Sequence, residues 1–401
     1  MPWNEVEVQE ERIRFAVLAE RGERPMAALC GEFGISRATG YKWWRRYQKQ
    51  GVAGLEEHSR WPHASPRRTP IDIERGVVEL RRKTPDWGAR KLRVKLAAQG
   101  IDLPAITIHR ILLRYGLVAE QDRGRPALKR FERQQPNELW QMDFKGMPAA
   151  WQTGGLLPLS ILDDHSRYLL GLRAQQQTAA KGVRATLEEI FSDYGLPRQM
   201  LMDHGAPWWN AQGAGWTRLS VWLMQQGIVL RFSGIRHPQT QGKVERLHGS
   251  LHRALQRRGR PRRREDWQGW LDAFREEYNH ERPHEALGMA TPASRWRPSQ
   301  RRFDPRAKCW EYGEDAWVIR VGVNGGLWLG GVRWEISRAL AHQHVALERV
   351  GQRILVRYCR TTVREIDLVS GRSSPVNLKL GDFVWPHGWS ADEQDGIQGW
   401  A

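Results

Sequence analysis

Apolar positions recur at a spacing near 3.6 over residues 10–50, which predicts helices throughout that stretch. Within it, Met26, Leu29, Cys30 and Phe33 stand at i, i+3, i+4 and i+7. Gly34 then permits a left-handed turn, Ile35 is suited to plug a small core, and Ser36 is a good N-cap for a second helix. That second helix carries Arg37, Thr39, Lys42, Arg45 and Arg46 among Tyr41, Trp43 and Trp44. Turn glycine, cap and basic second helix together make a helix-turn-helix pattern over residues 1–52, whose second helix is the one that enters a DNA major groove. Residues 53–70 are rich in Gly, Pro, Ser and Arg and read as a linker. Three more helical patterns follow over 71–118, a second helix-turn-helix unit with Thr107, His109, Arg110 and Arg114 available to face DNA. Residues 119–136 form a basic linker suited to tracking phosphates.

After Asn137 the pattern changes. LWQMDF (139–144), 156–162 and 168–174 read as strands, 181–194 as a helix stopped by Gly195 and Pro197, and QMLM (199–202) as a short buried strand. A helix over 216–226, a strand over 228–232 and a long helix from about 241 complete a mixed α/β sheet domain, bounded here at 137–300. Beyond it, short apolar segments separated by turn residues such as Asn324-Gly325-Gly326 predict a small all-β barrel or sandwich over 305–385. The acidic end, 386–401, is expected to be disordered. No segment of about 18 apolar residues is present, so no membrane span is expected, and the amino terminus lacks the pattern of a signal peptide. A cytoplasmic protein is the expectation.

Charge adds a partner to this architecture. The 401 residues carry a formal charge of +18, and a sustained excess of Lys and Arg favours a polyanion, because each neutralised phosphate releases counterions. The three cysteines, Cys30, Cys309 and Cys359, are too scattered for a zinc site and are expected to pack as small hydrophobes.

Three acidic residues stand in unusual places. Asp143 lies in an apolar strand, Asp203 ends another, and Glu245 lies on the long helix, at intervals of 203 − 143 = 60 and 245 − 203 = 42. Val244, Leu247, Leu251 and Leu255 form the stripe that must face the sheet, and Glu245 is about 100° from Val244. It therefore sits on the rim of the buried face, with His248 and His252 on the same rim. Transesterification of a phosphodiester needs an attacking and a leaving oxygen stabilised in line, which two Mg2+ ions do, held by a few hard carboxylate ligands. Asp163 and Asp164 compete for the first ligand position, with a structural hydrogen-bonding role expected for both.

The segments ELWQMDF, LPLSILDDHSRYLLG, LMDHGAPW, SGIRHPQTQGKVERLHGSLHRAL and EYNHERPHEALGMATPASRW resemble, in this order, the bacterial insertion-sequence transposases with a retroviral-integrase-like core. The resemblance spans about 137–300 and, more loosely, the amino-terminal region. It implies a ribonuclease H-like mixed five-stranded sheet and an Asp-Asp-Glu catalytic and metal-binding set, which falls on Asp143, Asp203 and Glu245. It also implies two Mg2+ ions, replaceable by Mn2+, double-stranded DNA as transposon end and target, and a homodimer or higher oligomer on DNA. One departure stands out: 41 residues (204–244) separate Asp203 from Glu245, more than the family's usual interval, and the excess falls in APWWNAQGAGWTRL. Lys243, Arg246, and the run Arg257, Arg258, Arg260, Arg262, Arg263 and Arg264 are the expected phosphate contacts of the core. His204 and His237 are expected as substrate contacts or packing residues, and Tyr278, Asn279, Arg282 and Pro283 as structural. Two other functions share these residues: a DNA-binding regulator with an inactive core, and a metal-dependent nuclease that only hydrolyses.

Overall fold

The computed structural model describes residues 8–57, 68–118, 132–147, 156–210, 215–233, 242–306 and 310–376. The chain divides into two compact units, one up to Pro70 and one from Ile71 onward. Residues 58–67 of the first expected linker (53–70) and 119–131 of the second (119–136), the acidic tail, Cys309 and His237 lie outside the described residues, while Gly54 and Leu55 of the first are buried in a short 3-10 turn, Gly51–Leu55.

The first unit contains α1 (Val8–Arg21), α2 (Met26–Glu32) and α3 (Arg37–Gln50). Gly34, at φ +61°, makes the turn, and the Ser36 side chain accepts the Thr39 amide as an N-cap. Phe15, Leu29, Cys30, Phe33 and Ile35 form its core. The buried Arg12 guanidinium lies 4.0 Å over the Trp43 ring and donates to the Leu55 carbonyl, so α1 is tied to α3 by a cation–π contact. Gly40 is where α3 comes closest to its neighbours. A β-carbon there would overlap the Cys30 sulfur and lie 3.0 Å from Phe15 Cζ. Gly40→Ala is accordingly expected to destabilise this unit by about 1–3 kcal/mol through overpacking. Calorimetry of the full chain would show a lowered amino-terminal transition; an unchanged one would contradict the tight packing.

The second unit opens with α4 (Ile71–Lys83), α5 (Ala89–Ala98) and α6 (Ala105–Arg114), packed around Val77, Trp87, Leu92, Leu96, Ile108 and Ile111. Then come β1 (Leu139–Phe144), β2 (Leu157–Asp163), β3 (Leu169–Gln175), α7 (Ala180–Tyr194) and β4 (Gln199–Met202). A two-residue ribbon follows, β5 (Trp209–Asn210) and β6 (Gly215–Trp216), then α8 (Arg218–Gln225), β7 (Val229–Phe232), α9 (Gly242–Arg258) and α10 (Asp266–His280). The sheet order is β3-β2-β1-β4-β7, with β1, β2 and β3 antiparallel and β1, β4 and β7 parallel. This is the mixed five-stranded integrase-type sheet expected from the sequence. Trp140, Met142, Met200 and Met202 turn one face toward α7 and α8. The opposite face meets the α9 stripe, Val244, Leu247, Leu251 and Leu255, and the buried face of α10.

Within the stretch APWWNAQGAGWTRL, Trp209–Asn210 and Gly215–Trp216 pair as the β5–β6 ribbon, and the helix expected from 216 begins at Arg218. Trp209 packs on Trp216 and Phe232, and Gly215, at φ +91°, leaves no room for a side chain beside the Trp209 ring. The remaining strands are β8 (Trp317–Arg320), β9 (Gly326–Leu329), β10 (Val332–Glu335), β11 (His344–Val350), β12 (Arg353–Tyr358), β13 (Thr361–Asp367) and β14 (Arg372–Pro375). They form a five-stranded antiparallel sheet, β14-β13-β12-β11-β8, and the β9–β10 hairpin turning at Gly330 and Gly331. This all-β part shares one continuous apolar core with the mixed sheet, and Trp216 Nε1 donates to the Val363 carbonyl at 2.9 Å.

Candidate active site

Strand register brings two of the three expected carboxylates together. In the parallel pair β1–β4, Gln141 lies opposite Leu201. Asp143 lies two residues further along β1, on the face opposite Met142, and Asp203 directly follows Met202, the last residue of β4, so both stand at the same end of neighbouring strands. The Asp143 face is the one covered by α9, since Trp140 and Met142 alternate onto the other. Glu245 lies in the first turn of α9, exposed beside fully buried Val244, on the rim that helical geometry required. Asp143 is largely buried. Burial first, then the facing Asp203 and, more weakly, Glu245 push its carboxyl up to about 7, against the Phe144 amide and Lys145, which pull it down.

Around this set the neighbours are specific. Ser160, opposite Asp143 in the β1–β2 register, places its hydroxyl 3.0 Å from His248 Nε2, and His248 Nδ1 lies 3.8 Å from Asp143. Burial and the Lys145 ammonium push the His248 imidazole down to about 3, so it is neutral at ordinary pH. Asp203 Oδ1 accepts Gly205 N at 3.0 Å and Trp208 Nε1 at 2.8 Å. His204 packs between Trp209 and Phe232.

Asp163 and Asp164, at the end of β2, are fully buried and structural. Asp163 accepts Ser166 N, Ser166 Oγ and Asn137 N. Asp164 accepts Arg133 N and Gln141 Nε2 and pairs with Lys243 Nζ at 2.5 Å. Lys243, expected at a phosphate, thus anchors the start of α9 to the end of β2, and burial holds its ammonium down to about 8.

The expected DNA contacts separate into two groups. Arg37, Lys42 and Arg45 on α3, Arg246 on α9, and Arg260, Arg262, Arg263 and Arg264 between α9 and α10 are exposed. Arg263 also forms a two-pronged pair with Asp266 at 3.0 Å. Others are engaged within the chain. Arg46 stacks over Trp43 at 5.1 Å, and Thr39 Oγ1 lies 2.9 Å from Ser36 Oγ. Arg257 donates to the Pro85 carbonyl at 2.9 Å. Arg258 pairs with both Asp86 and Glu277, a placement the basic run did not suggest. Asp86 also receives Arg282 at 2.6 Å, and Trp87 Nε1 donates to Glu277 at 3.0 Å. Asn279 hydrogen-bonds both polar backbone atoms of Leu169 on the sheet edge, and Tyr278 and Pro283 are buried, the structural part expected of them.

Among the described residues, no group of three or more His, Cys, Asp or Glu side chains already stands at ion-holding separations. The donor set still suits a hard divalent ion. It offers carboxylate oxygens, and the repulsion from Asp203 and Glu245, which adds to burial in raising Asp143, is what a cation between these groups would relieve. Nor is any described helix long and apolar enough to cross a membrane.

Comparison with known proteins agrees with this architecture. Residues 133–238 and 226–292 match integrase core domains, residues 11–63 match a helix-turn-helix domain, and residues 39–112 match a homeodomain-like domain. The chain is similar to an uncharacterised 31.7 kDa protein of insertion element IS407 from Burkholderia multivorans, 23% identical over 230 residues, covering 54% of this chain and 78% of that protein. It is also similar to the transposase for transposon Tn552 of Staphylococcus aureus, 22% identical over 86% of this chain and 78% of the relative. Among solved structures, an HTLV-2 integrase catalytic core domain in complex with magnesium matches 40% of this chain and 97% of its own, at 14% identity and a TM-score of 0.31. The chain thus carries helix-turn-helix domains ahead of an integrase core domain and is similar to insertion-sequence and transposon proteins of that kind.

Proposed function

We propose that this chain binds transposon ends, cleaves their 3′ ends and joins them to target DNA, with Asp143, Asp203 and Glu245 as the carboxylates that hold two Mg2+ ions, for which Mn2+ can substitute. The observation that carries this reading is that Asp143, near the end of β1, and Asp203, directly after β4, stand at the same end of adjacent parallel strands, with Asp143 pushed up to about 7 by burial, Asp203 and Glu245. When bound, the metal pair supplies electrostatic stabilisation of the attacking and leaving oxygens of an in-line displacement. The chain's own part is to fix its ligands. The parallel pairing of β1 with β4 brings Asp143 and Asp203 to one end of the sheet, and the buried pair of Lys243 with Asp164 anchors the start of α9, whose Glu245 acts electrostatically on Asp143. Ser160 holds the neutral His248 beside Asp143.

Exposed Arg37, Lys42 and Arg45 on the second helix of a helix-turn-helix are suited to reading a major groove, and Arg246, Arg260, Arg262 and Arg264 to holding phosphates near the core. Paired-end chemistry calls for a homodimer or higher oligomer on DNA, and a bacterial nucleoid setting follows from the substrate. The domain limits 1–52, 71–118, 137–300 and 305–385 belong to the same proposal. The test is nicking of a duplex carrying the element's own end in Mg2+, with end binding measured alongside. Asp143→Asn and Asp203→Asn are each expected to bind as wild type and not nick. Nicking by either variant at the wild-type rate would remove that residue from the site.

A pH-dependent consequence follows for the metal-free chain. With its carboxyl pushed up to about 7, Asp143 keeps a proton in the folded state that the unfolded chain releases near pH 4. This group's stabilising contribution is present below that pH and is lost as pH rises through about 7. In chelator at pH 8, Asp143→Asn is therefore expected to melt above wild type, by an amount of the order of a few kcal/mol, and at pH 4 the difference is expected to vanish. Equal melting temperatures at pH 8 would contradict the buried, like-charged site.

A further inference from the structure

Trp208 is buried to 1% exposure, five residues past Asp203, and its one polar atom faces the carboxylate. Its Nε1 donates to Asp203 Oδ1 at 2.8 Å and to the Asp203 carbonyl at 3.0 Å. Gly205 N donates to the same Oδ1 at 3.0 Å. Both side-chain bonds thus converge on one oxygen, and among the described residues no donor stands on Oδ2. Gly205 packs tightly on the same group: a β-carbon there would lie 3.0 Å from each carboxylate oxygen. The indole also stacks on Phe144, ring centroids 5.5 Å apart and 11° from parallel, and Phe144 adjoins Asp143 in sequence. The Trp208 carbonyl accepts the buried Ser220 hydroxyl of α8, which pins the ring from behind. One side chain therefore touches the carboxylate at the end of β4 and the residue beside the carboxylate on β1.

We propose that Trp208 is a positioning residue for the divalent-metal site: its N–H fixes the rotation of the Asp203 carboxylate so that Oδ2 is presented to the ion, and its stack on Phe144 holds β1 and β4 at the separation the ion needs. The inference rests on the assignment of Asp143 and Asp203 as metal-holding groups. A hydrogen-bond donor that locks a ligand's second oxygen commonly changes metal affinity by about 10- to 100-fold when removed. Ordinary core packing of a tryptophan would need the ring but not its N–H, and that difference can be measured.

The probe is Mn2+ alone, its free ion followed by electron paramagnetic resonance against the full chain at fixed pH. Four proteins are compared: wild type, Trp208→Phe, the chain with the benzothiophene isostere of tryptophan at position 208, and Asp203→Asn. The isostere keeps ring shape and stacking and removes only the N–H, so it carries the test if Trp208→Phe does not fold. Mn2+ affinity is expected to fall about 10- to 100-fold in the isostere, with thermal melting and end-DNA binding as in wild type, and further in Asp203→Asn. An isostere that binds Mn2+ as tightly as wild type, while Asp203→Asn loses it, would overturn the role of Trp208 and leave the carboxylate site standing. If Asp203→Asn binds Mn2+ as wild type does, the assignment of Asp203 fails and this inference falls with it.

Discussion

Alanine in place of Asp86 is expected to destabilise the second unit by about 3–5 kcal/mol, the usual cost of removing one partner from a buried charge cluster. The Asp86 carboxylate is fully buried in the turn between α4 and α5 and takes Arg258 Nε at 2.8 Å and Nη2 at 2.5 Å on one oxygen, and Arg282 Nη1 at 2.6 Å on the other. Burial pushes its pKa upward, but the two guanidiniums outweigh it and hold the carboxyl below its ordinary value. Its contribution is therefore present above about pH 4 and lost as pH falls through the depressed value. In the alanine variant Arg282, 1% exposed, would keep its charge with only the more distant Glu277 carboxylate, at 3.7 Å, to offset it. The readout is chemical denaturation at pH 7, where the midpoint should fall with little change in slope. Hydrogen exchange should locate the loosening at α4, α5 and the carboxy-terminal end of α9. A loss under 1 kcal/mol would mean that the network is solvated and does not dock 71–118 onto the core.

The second large effect concerns chemistry. Glu245→Gln keeps the size of the side chain but removes a negative charge and one acceptor oxygen from the proposed carboxylate site. Metal-based stabilisation of the transition state is worth several kcal/mol, and each 1.36 kcal/mol is tenfold in rate, so nicking and joining should fall about 10³-fold or more. End binding should not change, because Glu245 is an exposed rim residue and the residues proposed to read the groove, Arg37, Lys42 and Arg45, are on α3. Stability should change by less than 0.5 kcal/mol, as for other surface substitutions. A variant that loses both binding and joining would point to a folding role for Glu245.

Much of this architecture was legible in the chain because its periodicities are unambiguous. LWQMDF and QMLM are apolar runs bounded by turn residues, and the α9 stripe recurs at helical spacing, so both aspartates and the rim position of Glu245 could be placed from sequence. Other features were hidden for physical reasons. β14 reads Arg-Ser-Ser-Pro, a polar edge strand with no apolar alternation to reveal it. The β5–β6 ribbon has two residues on each side, too few for any period, and only its tryptophans hinted at burial. Arg258 looked like one more cation in QRRGRPRRR. Its partner Asp86 lies 172 residues away, and no local pattern encodes a pairing at that distance. Lys243 is a similar case, since a lysine beside a helix start gives no sign that Asp164, 79 residues earlier, is its partner. Trp208 was visible only as half of a tryptophan pair, and its N–H acquires meaning once the backbone folds back on Asp203.

The most direct measurement is strand transfer in vitro. Purified chain, the element's own end and a target duplex are combined in Mg2+, with Glu245→Gln in parallel. Wild type is expected to give end–target joined products and the variant none, with end binding equal in both. Cleavage without joining would mean a nuclease, and joined products from Glu245→Gln at the wild-type level would contradict the carboxylate site itself.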